Sequence, residues 1–169
     1  LRRLKTGERR WQVKHGNAGL YIKAGDLINP CTHDMEEQEV PTGSAARLIF
    51  SHIHNYIVRA GSLDEAIDVP MGDSLRAFFR DYRLNVTGPN GKQIRQQVNN
   101  IAAAQISIAI WDKHHVTQVD LPKIARQIDF WMEKDARQRT LWQPSMVINP
   151  EYARTIRERA VPLDMRTLV

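Results

Sequence analysis

Residues 88–112 read GPNGKQIRQQVNNIAAAQISIAIWD, and the rest of the chain is understood outward from them. Gly88-Pro89-Asn90-Gly91 is turn chemistry, with residues that supply unusual backbone angles and a fixed φ. Beyond it Ile94, Val98 and Ile101 fall at i, i+4 and i+7, which puts them on one face of a helix. From Gln105 the period changes. Ile106, Ile108 and Ile110 alternate with Ser107 and Ala109, as in a strand. Off its apolar stripe the helix carries Lys92, Gln93, Arg95, Gln96, Gln97, Asn99 and Asn100, and no carboxylate occurs between Asp81 and Asp112. Lysine and arginine neutralise phosphates, whereas Gln, Asn and Arg can hydrogen-bond base edges. Such a helix reads as a nucleic-acid recognition helix. The competing reading is a solvated amide face.

Upstream, Trp11–His15 and Leu20–Lys23 flank Gly16-Asn17-Ala18-Gly19, which predicts a small β-ribbon. Residues 25–42 show no period and hold two prolines, so they read as a loop. A long helix follows, with Thr42 and Ser44 as candidate caps. Its stripe is Leu48, Ile49, His52, Ile53, Tyr56, Ile57 and Ala60, and Gly61 marks its end. Ala66–Val69 is a short strand stopped by Pro70. A second helix runs from Asp73 or Ser74 to about Tyr82, with Leu75, Phe78, Phe79 and Tyr82 inward and Arg76, Arg80 and Arg83 elsewhere.

After the 105–111 strand, Lys113-His114-His115 forms a tip, and strand-like segments follow near 116–121, 123–131 and 140–148. Asn149 and Pro150 then start a helix that reaches about Arg159. Helix, short strand, helix, turn, helix and strands with a basic tip is the order of a winged helix. The predicted class is therefore α+β, a helix-turn-helix with a β-wing plus an N-terminal β-ribbon.

The chain has 169 residues, enough for one ordinary domain and too few for two large ones. Its formal net charge of +5 favours an acidic partner only weakly. The charge is unevenly spread. Residues 1–20 hold Arg2, Arg3, Lys5, Arg9, Arg10 and Lys14 against Glu8, while residues 21–42 hold Lys23 against Asp26, Asp34, Glu36, Glu37 and Glu39. The basic arm and the acidic loop either pair or point to different places. One cysteine, Cys31, excludes an intrachain disulfide framework and fits a reducing compartment. No apolar run is long enough to span a membrane, so no membrane partner is expected. The N-terminus has neither an apolar signal core nor an initiator Met, which reads as a fragment.

Several motifs in order carry a family resemblance. Val40-Pro41-Thr42-Gly43 leads to Ala46-Arg47-Leu48. Gly72-Asp73-Ser74-Leu75 precedes Phe78 and Phe79. Thr87-Gly88 precedes Gly91, and Ala160-Val161-Pro162-Leu163-Asp164-Met165-Arg166 closes the chain. Across about residues 40–169 this pattern resembles plasmid replication initiators of the RepA type. The resemblance implies tandem winged helices that bind repeated double-stranded sites at a plasmid origin. It also implies homodimers, and host replication proteins as further partners. The division it suggests is a basic arm, ribbon and acidic loop at 1–39, a winged helix at 40–159, and the start of a truncated second winged helix at 160–169. The whole would be the N-terminal part of a longer initiator.

On this reading the DNA-contacting residues are Arg76, Arg80, Asn90, Lys92, Gln93, Arg95, Gln96, Asn99 and Asn100, with Lys113, His114 and His115 at the wing tip. Gln96 and Asn99 suit base edges, and Lys92 suits phosphate. Asn90 or Gly91 starts the helix, where free N–H groups can hold a phosphate. A module that only dimerises is the first alternative.

The second alternative is a metal-dependent nickase using His52-Ile53-His54 with Tyr56 or Tyr82. A metal pair at i and i+2 needs a strand, and here the run reads as a helix. A partly buried core histidine at 52 and a surface one at 54 fit better. Cys31, His33 and Asp34 lack a second ligand pair for zinc. No phosphate-binding loop of the Gly-Lys-Ser/Thr kind and no Gly-x-Ser-x-Gly turn occurs. The expectation is a binding protein without cofactor, metal or catalysis.

Overall fold

The structure is a computed structural model that describes residues 8–29, 31–71, 77, 79–80, 89–128 and 145–158. Its helices are α1 (Gly43–Arg59), α2 (Pro89–Ala103) and α3 (Pro150–Glu158). The strands are β1 (Arg10–His15), β2 (Ala18–Lys23), β3 (Asp26–Ile28), β4 (Met35–Glu37), β5 (Ile67–Pro70), β6 (Gln105–Trp111), β7 (Val116–Asp120), β8 (Ala125–Ile128) and β9 (Ser145–Ile148). All pairings are antiparallel, in sheets ordered β1-β2-β6-β7, β3-β4 and β5-β9-β8. The fold is mixed α and β.

The core forms where the helical stripes meet the three-stranded sheet. Leu48, Ile49, Ile53 and Ile57 of α1 are fully buried, as the period of the sequence predicts. They share one cluster with Ile94, Val98 and Ile101 of α2, Val69 of β5, Met146 and Ile148 of β9, and Tyr152 and Ala153 of α3. Burying each large aliphatic side chain contributes about 1.5–3 kcal/mol, so this cluster holds the helices on the sheet. Phe79 belongs to the same cluster, and Ala77, Phe79 and Arg80 are helical. The rest of the expected second helix, including Arg76 and Tyr82, lies outside the described residues.

Helix ends follow local chemistry with one exception. Asn149 caps α3, its Oδ1 accepting the Glu151 N–H at 3.0 Å. Ala60 ends α1, its N–H bonded to the Tyr56 carbonyl. Thr42 occupies the N-cap of α1 but makes no side-chain cap bond.

The loop expected at 25–42 contains the β3–β4 hairpin. Asn29 builds its turn: Oδ1 accepts the N–H groups of Cys31 and Thr32, and the Asn29 N–H donates to the Asp34 carbonyl. No strand-like alternation marks it because both strands are three residues long and β4 is wholly exposed. Asp26 and Glu37 stand directly opposite each other, a like-charge pair that disfavours pairing. Arg9 bridges both carboxylates. The basic arm and the acidic loop therefore meet at this residue. Gly25, just before β3, passes so close to α2 that a Cβ would stand 2.4 Å from the Ala103 carbonyl oxygen. Only glycine fits there without moving the backbone.

The ribbon at 10–23 forms as expected, but it is not a separate appendage. β2 pairs with β6 across Ala18↔Ile110 to Lys23↔Gln105. The Lys113–His115 tip therefore joins β6 and β7 in the sheet shared with the ribbon, whereas β8 and β9 pair with β5. The tip expected as a wing at 113–115 is thus an edge turn of the ribbon's sheet. Alternation in the sequence identifies β6 and β7 as strands without saying which strands they join.

His52 and His54 tie α1 to its neighbours. His52 is buried, its Nε2 3.1 Å from the Pro70 carbonyl oxygen, and its ring lies 5.1 Å from that of Tyr56. His54, expected at the surface, instead packs on α3 with Nε2 3.1 Å from the Tyr152 hydroxyl. The two rings engage different elements. Burial lowers the pKa of both histidines, opposed at His52 by the bond to Pro70, and it pushes the Tyr152 hydroxyl up. In the unfolded chain both titrate near the ordinary value of about 6.5. Below that pH the unfolded state takes up protons that the folded state refuses, so stability falls with pH and levels off below the folded values. The urea midpoint is expected to be lower at pH 5.5 than at pH 7.5, with the drop much reduced in a His52→Gln/His54→Gln variant. Equal midpoints at both pH values for the unaltered chain would contradict this.

Candidate nucleic-acid interface

Helix α2 carries two kinds of amide. Gln97 and Asn100 face inward, and Asn100 has 0 % of its surface exposed. The Gln97 Oε1 accepts the Thr42 N–H at 2.9 Å, and the Asn100 Oδ1 accepts the Glu39 N–H at 3.2 Å. Both N–H groups belong to the extended stretch between β4 and α1. Backbone N–H groups outside helices and sheets need partners, and here side chains of a helix supply them. Thr42 is also the residue that starts α1, so Gln97 fixes the point at which that helix begins.

Gln96 lies on the border between the two kinds. Its Nε2 donates to the Asn100 Oδ1 at 3.0 Å and to the Gln38 Oε1 at 3.2 Å, although the residue is exposed. Asn100 is thereby corrected from a base-contacting residue to a structural one: it is enclosed, and its oxygen accepts two bonds. Gln96 is accessible but tethered. Helical geometry sets Gln97 and Asn100 together at i and i+3, beside the Ile94, Val98 and Ile101 stripe.

The outward side holds Lys92 and Gln93, both exposed, and the half-buried Arg95 and Asn99. Lys92, Gln96 and Asn99 follow one another at i, i+4 and i+7 along the helix, and the first turn of α2 contains no acidic residue. The arrangement offers a cation and several amide donors and acceptors on a helix held rigidly from behind. The backbone of Asn90 belongs to the first turn of α2, but its side chain is outside the described residues, as is Arg76. Arg80 is exposed.

Lys113, His114 and His115 are exposed on the β6–β7 turn. Asp112 organises that turn, its Oδ1 accepting the N–H groups of His114 and His115 at 2.8 and 2.7 Å. The structure does not bring this tip into one sheet with β8 and β9. The inward role of Gln97 and Asn100 has no sequence signal, because an amide that clamps a backbone and one that faces water look alike.

Cys31 is exposed, and no group of three or more His, Cys, Asp or Glu able to hold a metal occurs among the described residues. No described helix is long and apolar enough to cross a membrane.

Residues 40–169 match the family described as plasmid-encoded RepA protein. The chain belongs to that family. The match begins at Val40, in the clamped stretch that α2 holds, and it is to the family of plasmid replication initiators that the sequence motifs resemble. It concerns the RepA C-terminal domain, and it does not carry the expected position at the N-terminal end of an initiator. No curated protein matches the chain.

Two solved structures resemble the RepA-family chain. One, of selenomethionine derivatives of domains 2 and 3 of RctB, is 8 % identical with a TM-score of 0.51, covering 92 % of this chain and 59 % of that one. The other, of RctB domains 2–3, is 10 % identical with a TM-score of 0.52, covering 89 % of this chain and 53 % of that one. These likenesses concern the fold. The chain spans little more than half the length of either.

The division of the amides predicts opposite consequences for neighbouring substitutions. Asn100→Ala leaves the Glu39 N–H without its acceptor and is expected to lower unfolding free energy by about 1–3 kcal/mol. Gln93→Ala, on the exposed side, is expected to stay within about 0.5 kcal/mol of the unaltered chain. Urea unfolding of both variants measures the difference.

Proposed function

We propose that this domain binds double-stranded DNA at the repeats of a plasmid origin, as part of a replication initiator, and acts by binding rather than by catalysis. The observation that carries this reading is the outward side of α2. It bears Lys92, Gln93, Gln96 and Asn99 in a stretch without carboxylates, on a helix anchored from behind by Gln97 and Asn100. Membership of the plasmid-encoded RepA family supports the same role.

In this reading α1, the helical segment around Phe79 and α2 are the three helices of a winged helix, and α2 enters a groove. The wing is the β8–β9 hairpin, because it pairs with β5, the strand that follows α1. Lys92 and Arg80 set the register on the backbone, and Gln93, Gln96 and Asn99 meet base edges.

A second reading concerns pairing of two copies, and a specific feature favours it. Val13, Leu20, Ile108 and Val119 form one cross-strand row on a face of the four-stranded sheet. Val13, Ile110 and Val119 of this face are 37 %, 56 % and 53 % exposed. An apolar surface of this kind marks an association site. Val119→Lys is expected to halve the sedimentation mass of a dimer while leaving the helices intact.

The DNA reading is tested by titrating the chain into a duplex oligonucleotide over a salt series from about 50 to about 200 mM. Binding should weaken steeply with salt, and Lys92→Gln should reduce the slope of log affinity against log salt by about one. A chain that ignores duplex DNA at low salt would remove α2 as a reader and leave the pairing module.

A further inference from the structure

The opposite face of the four-stranded sheet has a different chemistry, and α2 plays no part in it. Register places Arg10 and Lys14 of β1, Tyr21 and Lys23 of β2, and Trp111 of β6 on this side. At its centre Gly19 and Ala109 are cross-strand partners, so two neighbouring positions have almost no side chain. The rings of Tyr21 and Trp111 both fill that gap. A Cβ on Gly19 would stand 2.8 Å from Tyr21 Cε2 and 3.0 Å from Trp111 Cζ3. The two rings thus adjoin over the strand backbone, and both stay half-exposed.

Charge surrounds them. Lys14 Nζ lies 5.8 Å from the centre of the Trp111 ring. Arg10 and Lys23 are direct cross-strand partners. Two cations side by side make this end of the face strongly basic, with Glu8 beside them. Asp120, which accepts a hydrogen bond from Gln118 at 2.8 Å, is the one carboxylate within the four strands on this face, and Glu8 just before β1 lines a hollow with Arg10, Tyr21 and Lys23. A hollow of about 620 Å³ opens here, lined by Lys14, Tyr21, Ser107, Trp111, Val116 and Gln118.

We propose that this sheet face binds single-stranded DNA, with bases stacking on Tyr21 and Trp111 and phosphates held by Lys14, Arg10 and Lys23. Exposed aromatic rings on a basic sheet suit unpaired bases, whose flat faces are free. In a duplex those faces are covered by their neighbours, so duplex DNA gains only the charge contribution. The proposal is independent of duplex reading by α2, and the two can fail separately.

The test uses the full 169-residue chain. Fluorescence anisotropy would follow a labelled twelve-residue oligo-dT and an abasic oligomer of equal length and charge. Oligo-dT is expected to bind more tightly by roughly five-fold or more for each stacked base. Trp111→Leu should erase that preference and Trp111→Phe should keep part of it. Lys14→Gln should weaken both oligomers alike. Thermal melts of the Trp111 variants establish that they fold, and Tyr21→Leu repeats the test on the other ring. Equal binding of oligo-dT and the abasic oligomer would overturn the proposal. So would a preference that survives both Trp111→Leu and Tyr21→Leu in folded protein.

Discussion

The structure depends on one constraint: the extended backbone between β4 and α1 lies along α2, partly buried, and has no strand to pair with. Its N–H groups at Glu39 and Thr42 go to the side-chain oxygens of Asn100 and Gln97. A donor that loses its partner away from water costs about 1–3 kcal/mol, so the amides of α2 favour this course of the chain. Several features follow. α1 begins at Gly43 because Thr42 is pinned. The hairpin β3–β4 is held at one end by Arg9, and Gly25 lets the chain entering it press against the last turn of α2. The apolar stripe of α2 then meets that of α1 at a set angle. The outward side of α2 is left on a helix that cannot roll.

The same arrangement explains how one short helix combines architecture with a candidate reading surface. Gln97 and Asn100 anchor it, Gln96 reaches both ways, and Lys92 and Gln93 face out. Away from the core, the four-stranded sheet keeps two unlike faces. One is a row of aliphatic side chains suited to a second copy, the other an aromatic and basic surface suited to unpaired bases. Ile106 is the residue of β6 that packs against the core, so most of the sheet remains accessible for association. Duplex reading, pairing and strand capture therefore need not compete for the same residues.

Much of this is legible in the sequence, and the limits are physical. The α1 stripe, the α2 stripe, the alternation of β6 and the Asn149 cap are local patterns, and each is where the spacing predicts it. Long-range pairing is not local. The alternation at 105–111 cannot say that β2 is its partner, and so the sheet that the Lys113–His115 tip joins is not legible locally. The β3–β4 hairpin has no hydrophobic alternation, and its Asn29 turn and Arg9 bridge come from residues that also suit a loop. Asn100 is the instructive miss. Period places it off the apolar stripe, yet the chain from Gln38 to Thr42 covers that side. Nothing in the pattern of α2 alone announces a neighbour some 60 residues earlier in the chain.

The division of α2 into a clamp and a reading surface is most directly tested by the side-chain amide resonances of the folded chain as duplex DNA is added. The account predicts that the Gln93 and Asn99 NH₂ signals move with DNA, while those of Gln97 and Asn100 keep their free-protein positions. Movement of Gln97 and Asn100 with Gln93 left unchanged would contradict it, and would mean that the clamp opens or that DNA is read from the other side of the helix.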